Sequence, residues 1–315
     1  SPPPPSPPPP YPPSPPPSDC EDVTVWLGTG MAVTSRQVTF SLGSISFATA
    51  NIALADIDGD GAIDLLLADE EGFEVIFNPS SNAILGTGVD GLANLTFAQA
   101  EEKWQYAASN GTRTSMNGAV RQISGTDMNN DGVVDVVVAY GGGSNAGAAV
   151  SGVQVLFGSA STQSDGNFAS VSPTNVSNTT HPVLAMQVAD VDGDGWVDIA
   201  CSFDNTAAAQ HKVIYYGKRS AAGSVRYEDA SWPDTVGSRF GPPGEDAWQI
   251  SSLEIVDLNL DGNLDLFYCA EGQRPQTAVG NSSIPLSFDE TAEAHLRSTL
   301  ASMNFTAGIA GASIT

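Results

Sequence analysis

The chain has 315 residues, 41% of them hydrophobic, and its 36 acidic against 11 basic side chains give a formal net charge of −25. Because contacts to phosphate groups need clustered cations, this charge argues against nucleic-acid binding and against docking on anionic membrane surfaces. The sequence has no apolar run near the ~20 residues that span a bilayer, so we expect no direct membrane insertion.

The chain opens with a proline-rich segment, SPPPPSPPPPYPPSPPP, in which 13 of 17 residues are proline. Since proline fixes φ and has no backbone N–H, residues 1–19 are predicted to form a separate polyproline II arm. Such an arm is either a stiff linker or a ligand that lies on the aromatic surface of a neighbouring molecule.

The blocks of one serine and four prolines resemble the hydroxyproline-rich, extensin-type glycoproteins of plant and green-algal cell walls. The resemblance covers residues 1–18 and implies hydroxylation of prolines, followed by glycosylation of hydroxyprolines and serines. The positions expected to carry O-linked sugars are Pro2, Pro3, Pro4, Pro5, Ser6, Pro7, Pro8, Pro9, Pro10, Pro12, Pro13 and Ser14.

An acidic pattern recurs four times beyond Cys20, and its first aspartates, Asp56, Asp127, Asp190 and Asp257, are 71, 63 and 67 residues apart. A period of this length with short β-rich segments indicates a propeller or a solenoid. A strand is predicted before each acidic loop, and a β-branched or aliphatic strand directly after it. The strands before the loops are predicted at residues 52–55, 120–125, 183–189 and 250–256.

Two further strands are predicted in each repeat. The third strands are expected at residues 72–78, 152–158 and 212–217, and weaker fourth strands at residues 94–100, 166–172 and 225–231. Four antiparallel strands in about 65 residues is the size of a propeller blade. The sequence therefore predicts an all-β fold, a β-propeller of four-stranded antiparallel blades over residues 20–315.

The repeats begin and end in mid-blade. Residues 22–30 and 36–42 match a third and a fourth strand, while residues 270–292 would close the fourth repeat and residues 302–315 resemble the start of another. Two accounts stay open. Either the two partial blades combine to close a ring of about five blades, or the sequence is a piece of a longer chain with further blades.

Each acidic loop has the pattern D-x-[DN]-x-D-G-x-x-D, which offers side-chain oxygens at positions 1, 3, 5 and 9 and a backbone carbonyl at position 7. A hard cation with six to eight oxygen ligands needs such a set. Glycine at position 6 permits the sharp turn, and apolar residues at positions 2 and 8 are expected to anchor the loop in the core. The expected ligands are Asp56, Asp58, Asp60, Ala62 and Asp64; Asp127, Asn129, Asp131, Val133 and Asp135; Asp190, Asp192, Asp194, Trp196 and Asp198; and Asp257, Asn259, Asp261, Asn263 and Asp265.

An EF-hand begins in a similar way but needs a bidentate glutamate at position 12 and flanking helices. Position 12 is Leu67, Val138, Cys201 or Tyr268, within the predicted strands, so this alternative fails. Empty Asp/Gly turns would leave three or four carboxylates repelling one another in a nine-residue loop. We therefore expect about four structural Ca²⁺ ions, since Mg²⁺ avoids cages made only of protein ligands.

These loops resemble those of the FG-GAP/VCBS family, the calcium-binding blades of integrin α-subunit propellers and of many secreted and cell-wall proteins. The resemblance extends over roughly residues 22–292 and implies one Ca²⁺ between the first two strands of each full blade. Residues 156–158, Leu-Phe-Gly, are the closest match to the Phe-Gly element. The Gly-Ala-Pro element is not clear, which favours the VCBS branch over integrin-like ligand binding.

Glycosylation sequons and cysteines bear on the compartment. The six N-x-[ST] sequons, which accept glycans only in a secreted chain, are at Asn94, Asn110, Asn175, Asn178, Asn281 and Asn304. Cys201 and Cys269 are expected to be buried in strands, and Cys20 is the cysteine that could pair with a partner. We expect an extracellular protein of the cell wall, the matrix or the cell or flagellar surface.

No catalytic constellation is evident, because the three histidines, His181, His211 and His295, have no triad or HExxH spacing. We expect a structural or adhesive glycoprotein that assembles with copies of itself or related subunits into a fibre through its arm. The alternative is a carbohydrate-binding or receptor-type module, and a polysaccharide-degrading enzyme rests on fold analogy alone.

The aromatic residues that could bind ligands, or instead pack between blades, are Trp104, Tyr106, Trp196, Tyr215, Tyr216, Trp232 and Trp248.

Overall fold

The computed structural model describes twelve stretches of the chain. They are residues 22–29, 32–41, 51–79, 107, 110–116, 118–141, 151–179, 181–204, 212–219, 225–229, 250–270 and 276–278. Several predictions fall outside them. These are the proline-rich arm with its O-glycosylation positions, Cys20, the sequons at Asn94, Asn281 and Asn304, the strand at residues 94–100, the partial repeat at residues 302–315, His211, His295, Trp104, Tyr106, Trp232 and Trp248.

The described residues lie mostly in strands, which confirms the all-β class. A hairpin consists of β1 (Asp22–Thr29) and β2 (Ala32–Ser41). Sheet I contains β3 (Asn51–Ala55), β4 (Asp64–Ala68), β5 (Gly72–Ile76) and β6 (Thr112–Ser115). Sheet II contains β7 (Val120–Thr126), β8 (Asp135–Tyr140), β9 (Ser151–Leu156) and β10 (Thr174–Thr179). Sheet III contains β11 (Val183–Ala189), β12 (Asp198–Phe203), β13 (Lys212–Arg219) and β14 (Val225–Asp229), and sheet IV contains β15 (Ile250–Val256), β16 (Asp265–Ala270) and β17 (Gln276–Ala278).

Within each sheet, consecutive strands are neighbours and run antiparallel. The predicted first, second and third strands are confirmed to within a few residues, and so is the fourth strand of sheet III. The predicted fourth strand at residues 166–172 is wrong, because that segment forms turns and the paired strand is β10. In sheet I the strand that pairs with β5 is β6, at residues the sequence pattern did not indicate.

The four sheets stack face to face, and each adjacent pair encloses an apolar core. This explains why β8 and β12, which each face two cores, are buried at every residue. In β8, Val136 and Val138 belong to the core shared with sheet I, whereas Val137 and Ala139 belong to the core shared with sheet III. A strand covered on both faces needs a continuous apolar run instead of alternation, as its sequence has.

The first strands of the sheets lie side by side, β3 next to β7, β7 next to β11 and β11 next to β15. Polar side chains join them: Asn51 Nδ2 donates to the carbonyl of Arg121, and Gln187 Nε2 donates to Glu254 Oε2 over 3.1 Å. Since each acidic loop follows a first strand, the four loops emerge at the same edge of the stack.

The apolar residues at loop position 2 pack toward the following sheet. Ile57, Met128 and Val191 are buried there, as predicted. Leu258, at the same position of the fourth loop, is 38% exposed, so the prediction of anchoring is wrong for this residue. The reason is that, among the described residues, no sheet packs beyond sheet IV.

The residues at loop position 8 pack toward the preceding sheet instead. Val134 packs against the core between sheets I and II, and Val197 against the core between sheets II and III. Ile63 of the first loop is 50% exposed, which contradicts the predicted anchoring, and Ile52 and Leu54 on β3 are exposed beside it. Sheets I and IV thus each present an exposed apolar surface where the interior sheets meet a neighbour.

A short helix, α1 (Ala160–Asp165), lies in the connection from β9 to β10, with Ser159 as its N-cap and Gly166 in the left-handed conformation at its C-cap. This connection crosses from sheet II to sheet I. Thr112 Oγ1 donates to the carbonyl of Asp165 over 2.7 Å, and the Phe168 N–H donates to Thr114 Oγ1 over 3.3 Å. Residues 166–172 do not form the predicted fourth strand, because this segment contacts sheet I instead of pairing with β9.

Two side-chain predictions are also resolved. Cys201 is buried in β12 as expected, but Cys269 is partly exposed, because the face of sheet IV opposite sheet III is not covered by described residues. Tyr215 belongs to the core between sheets II and III, so it is a packing residue.

Among the residues that the structure describes, no helix has the length and hydropathy needed to cross a bilayer.

Candidate metal centres

The four acidic loops connect β3 to β4, β7 to β8, β11 to β12 and β15 to β16. Their backbones curl around the carboxylates in nearly the same way. In the first loop, Asp56 Oδ1 accepts the Asp60 N–H over 3.0 Å and Asp56 Oδ2 accepts the Gly61 N–H over 2.9 Å. Asp60 Oδ1 in turn accepts the Ala62 N–H over 2.8 Å.

The same three bonds occur in the second and fourth loops. Asp127 accepts from Asp131 and Gly132, and Asp257 accepts from Asp261 and Gly262. The position-5 carboxylates accept the N–H of position 7 in both loops. In the third loop Asp190 accepts from Gly195 and Asp194 accepts from Trp196 in the same way, but the Asp194 N–H donates to Asp192 Oδ1 over 3.2 Å. The four loops therefore share one geometry apart from this bond, with the carboxylates at positions 1 and 5 held by backbone donors.

The aspartate at position 9 is fully buried in every loop, at Asp64, Asp135, Asp198 and Asp265. Asp198 Oδ2 accepts the Val191 N–H at loop position 2, and its Oδ1 accepts the Gly217 N–H at the end of the third strand, both over 2.8 Å. This side chain therefore joins the start of the loop to β13.

The residue that donates from the end of the third strand was not predicted from the sequence. Gly158 and Gly217 occupy this place in sheets II and III. A Cβ on Gly217 would lie 2.4 Å from the Val197 carbonyl oxygen, so the close approach requires glycine. In sheet I the donor is Asn78, whose side chain also donates to the Ile63 carbonyl over 2.9 Å. The shared signal is an aromatic residue followed by Gly or Asn at the end of the third strand.

Left-handed backbone occurs at two positions of each loop, although the sequence indicated only one. At position 6, Gly61, Gly132, Gly195 and Gly262 have φ between 85° and 89°. Position 4 also has positive φ, at Gly59, Asn130, Gly193 and Leu260. Asparagine tolerates this conformation better than other residues with a side chain, whereas leucine does not, so Leu260 is the strained member of the set.

Three carboxylates cluster in the first loop and three in the third. Carboxylate oxygens of Asp56, Asp58 and Asp64 lie within 4.8 Å of one another, and so do those of Asp190, Asp192 and Asp194. The second and fourth loops have Asn129 and Asn259 at position 3, so they bring together fewer acids. Each group could hold a hard cation, which prefers clustered carboxylate and carbonyl oxygens.

Asp190 gives a specific test of whether the third loop suits a cation. Its Oδ2 accepts the Gly195 N–H over 2.9 Å, but its Oδ1 is buried and has no hydrogen-bond partner among the described residues. A buried charged oxygen without a partner is costly, and a cation would satisfy it. The donor set of this loop therefore fits a metal ion.

Burial also raises the pKa values of the position-9 carboxyl groups. Desolvation raises the pKa of Asp64 and of Asp135 to about 6 and the pKa of Asp198 to about 7. The backbone hydrogen bonds that these carboxylates accept lower their pKa values, but by less than desolvation raises them. Desolvation and the charge of Asp64 raise the pKa of Asp58 to about 6. Ionised carboxylates are therefore unfavourable in these loops unless a positive charge lies among them.

This predicts opposite effects of pH with and without calcium. In calcium-depleted buffer the folded state binds more protons than the unfolded state, so stability should fall as the pH rises from about 4 to about 7. Calcium needs the ionised carboxylates, so in millimolar calcium the stability should rise over the same interval. Thermal unfolding between pH 4.5 and 7.5 measures both trends. A calcium-depleted protein that gains stability with rising pH would contradict the prediction.

The described sequons lie on or next to the last strands of sheets I and II. Asn110 is exposed in a turn before β6, and Asn175 is exposed on β10, where its Oδ1 accepts a hydrogen bond from Gln154 over 2.7 Å. Asn178 is also on β10, the last strand of sheet II. N-glycosylation at these positions stays a prediction.

Comparison with known proteins supports the repeat. Residues 127–201 match a family model described as an FG-GAP-like repeat, while no curated protein matches the chain. The match begins at the first aspartate of the second loop and ends in β12, so it includes the second and third loops. Repeats of this kind commonly bind calcium and are typical of adhesion-type β-propeller modules.

Proposed function

We propose that this chain is a calcium-stabilised β-propeller module of an extracellular structural or adhesive glycoprotein, without catalytic activity. The observation that carries the proposal is the repetition of one carboxylate-rich loop geometry at a single edge of four stacked sheets. The FG-GAP-like match over residues 127–201 supports the family of the repeat.

About four calcium ions are proposed, one in each loop, held by the oxygens at positions 1, 3, 5, 7 and 9. Calcium accepts the irregular, all-protein coordination that these positions offer, whereas magnesium keeps several waters in near-octahedral geometry. The proposed role is structural, because every position-9 aspartate accepts the N–H of loop position 2, which closes the loop on the following strand. In sheets I, II and III the same aspartate also accepts an N–H from the end of the third strand. An ion in the loop would relieve the repulsion between these carboxylates and stabilise that junction.

The propeller itself is proposed from the stacking of the sheets. Meanders of four antiparallel strands with adjacent first strands are what propeller blades require. The exposed Ile52, Leu54 and Ile63 on sheet I and Val256 and Leu258 on sheet IV support further blades at both ends. A further blade on each side would bury them as sheets II and III bury the equivalent residues of their neighbours.

Assembly is proposed to proceed through the proline-rich arm. A preformed polyproline II segment loses little conformational entropy when it binds, so the arm of one subunit can dock on the propeller of another. Such a head-to-tail contact does not close and would extend into a fibre. Copies of this chain or related glycoproteins of a cell wall, matrix or cell surface are the proposed partners.

Deletion of residues 1–18 tests this assembly. We expect the full chain to sediment as long polymers in calcium and the deleted chain to sediment as a discrete particle with an unchanged melting temperature. Replacing the same residues with a Gly/Ser segment of equal length controls for chain length. Polymers that persist in both variants would overturn arm-mediated assembly. A discrete full-length particle that binds glycans would favour the carbohydrate-binding alternative.

A further inference from the structure

One hydrogen bond directly joins two neighbouring acidic loops. Asn130, at position 4 of the second loop, donates from Nδ2 to the carbonyl oxygen of Gly195, at position 6 of the third loop, over 2.8 Å. Both residues are exposed, and the bond crosses from sheet II to sheet III at the edge where the loops emerge. The second and third loops are therefore in physical contact through their own backbones and side chains.

Among the four loops, Asn130 is the only position-4 residue with a side-chain donor. Asn130 has a φ of 56°, and the equivalent residues, Gly59, Gly193 and Leu260, have positive φ but no side-chain donor. The residue lies between Asn129 and Asp131, whose side chains are proposed ligands of the second loop. Closure of that loop on an ion would therefore fix the backbone that positions the Asn130 amide.

The backbone around the accepting Gly195 carbonyl also holds proposed ligand side chains of the third loop in place. The Gly195 carbonyl belongs to the peptide whose N–H, on Trp196, donates to Asp194 Oδ1 over 2.9 Å. The Gly195 N–H donates to Asp190 Oδ2 over 2.9 Å. The bond from Asn130 thus restrains the segment that orients two proposed ligand carboxylates and precedes the Trp196 carbonyl.

We propose that Asn130 couples cation binding at the second and third loops, so that an ion in one raises the affinity of the other. The proposal rests on the proposed function, in that these loops bind calcium. A first ion orders the loop and the hydrogen-bonded neighbour together, so the second ion orders fewer residues when it binds. One hydrogen bond corresponds to a coupling of about two- to tenfold in affinity, and linkage makes the effect equal in both directions.

The experiment measures the affinity of the third loop with the second loop intact or impaired. Trp196 lies within the third loop, so luminescence of Tb³⁺ excited through tryptophan reports binding there, and Trp196→Phe shows how much of the signal is specific. Asp127→Asn impairs the second loop. Asn130→Gly removes the amide but keeps a residue that tolerates positive φ. The four combinations of these two substitutions form a double-mutant cycle.

We expect Asp127→Asn to weaken Tb³⁺ binding at the third loop about two- to tenfold in the presence of Asn130 and by less than twofold in the Asn130→Gly background. Asn130→Gly alone should weaken the third loop by a similar factor, whereas Leu260→Gly, at the same position of the fourth loop, should not. Far-UV circular dichroism in calcium verifies that each variant is folded.

The outcomes separate this proposal from the one on which it rests. If Trp196-sensitised Tb³⁺ and calorimetrically detected Ca²⁺ both fail to bind the unmodified protein, the proposed calcium function is wrong and the coupling with it. If both ions bind but Asp127→Asn has the same effect with and without the Asn130 amide, the calcium function stands and the coupling is overturned.

Discussion

Removal of calcium is expected to lower the melting temperature of the protein by on the order of 20 °C. A ligand at 100 times its dissociation constant stabilises the folded state by about 2.7 kcal/mol per site, so four loops together contribute about 10 kcal/mol. For domains of roughly this size, about 1 kcal/mol corresponds to about 2 to 4 °C. Differential scanning calorimetry in millimolar CaCl₂ and in EGTA at pH 7.5 measures the difference.

Two controls make this result specific. Magnesium at the same concentration should restore little of the lost stability, because it does not fit an all-protein site. Asp194→Asn should reduce the stabilisation by calcium, whereas Glu70→Gln, which removes the same charge from an exposed position outside the loops, should leave it unchanged. Melting temperatures that agree within about 2 °C with and without calcium would contradict structural calcium sites.

The central strands and the loops could be predicted from the sequence because their signals are local. A run such as that of β8 is apolar at nearly every residue since two cores meet there, and its position follows directly from Asp135. The glycine at loop position 6 is likewise fixed by the conformation of its own backbone. Features that depend on a few consecutive residues are thus visible in a single sequence.

The outer strands were not predictable in the same way. The residues of β6 are Thr, Arg, Thr and Ser, which show no apolar alternation, and their pairing with β5 bridges a connection of more than thirty residues. Arg113 on this strand instead forms an ion pair with the buried Asp69 over 2.6 Å. Placement of an outer strand is decided by such long-range contacts, which one sequence does not reveal.

The partners of the position-9 aspartates were missed for a related reason. Asp64 and Asn78 are 14 residues apart, whereas Asp135 and Gly158 are 23 apart, because the hairpin between the second and third strands varies in length. The loop pattern therefore identified the acceptor but not the donor. In sheets I, II and III the donor is the residue after an aromatic side chain at the end of the third strand, namely the residue after Phe77, Phe157 or Tyr216.

Phe168→Ala is expected to destabilise the protein by about 3 to 5 kcal/mol, the cost of deleting a fully buried aromatic side chain. Phe168 belongs to the connection from β9 to β10 but packs in the core between sheets I and II, with its ring centroid 5.9 Å from that of Phe73. The substitution removes one of the largest apolar side chains from the core that sheets I and II share. Chemical denaturation in saturating calcium measures the change in the free energy of unfolding.

Matched variants distinguish this contact from general damage to the connection. Ser170→Ala, at an exposed position two residues later, should change stability by less than about 0.5 kcal/mol. Phe168→Leu retains most of the buried volume and should cost about 1 to 2 kcal/mol. The Phe168→Ala substitution should speed backbone hydrogen exchange in β4 and β8, which face this core, more than in β16, which faces the core between sheets III and IV. A loss below 1 kcal/mol for Phe168→Ala would mean that sheets I and II hold together without the crossing connection.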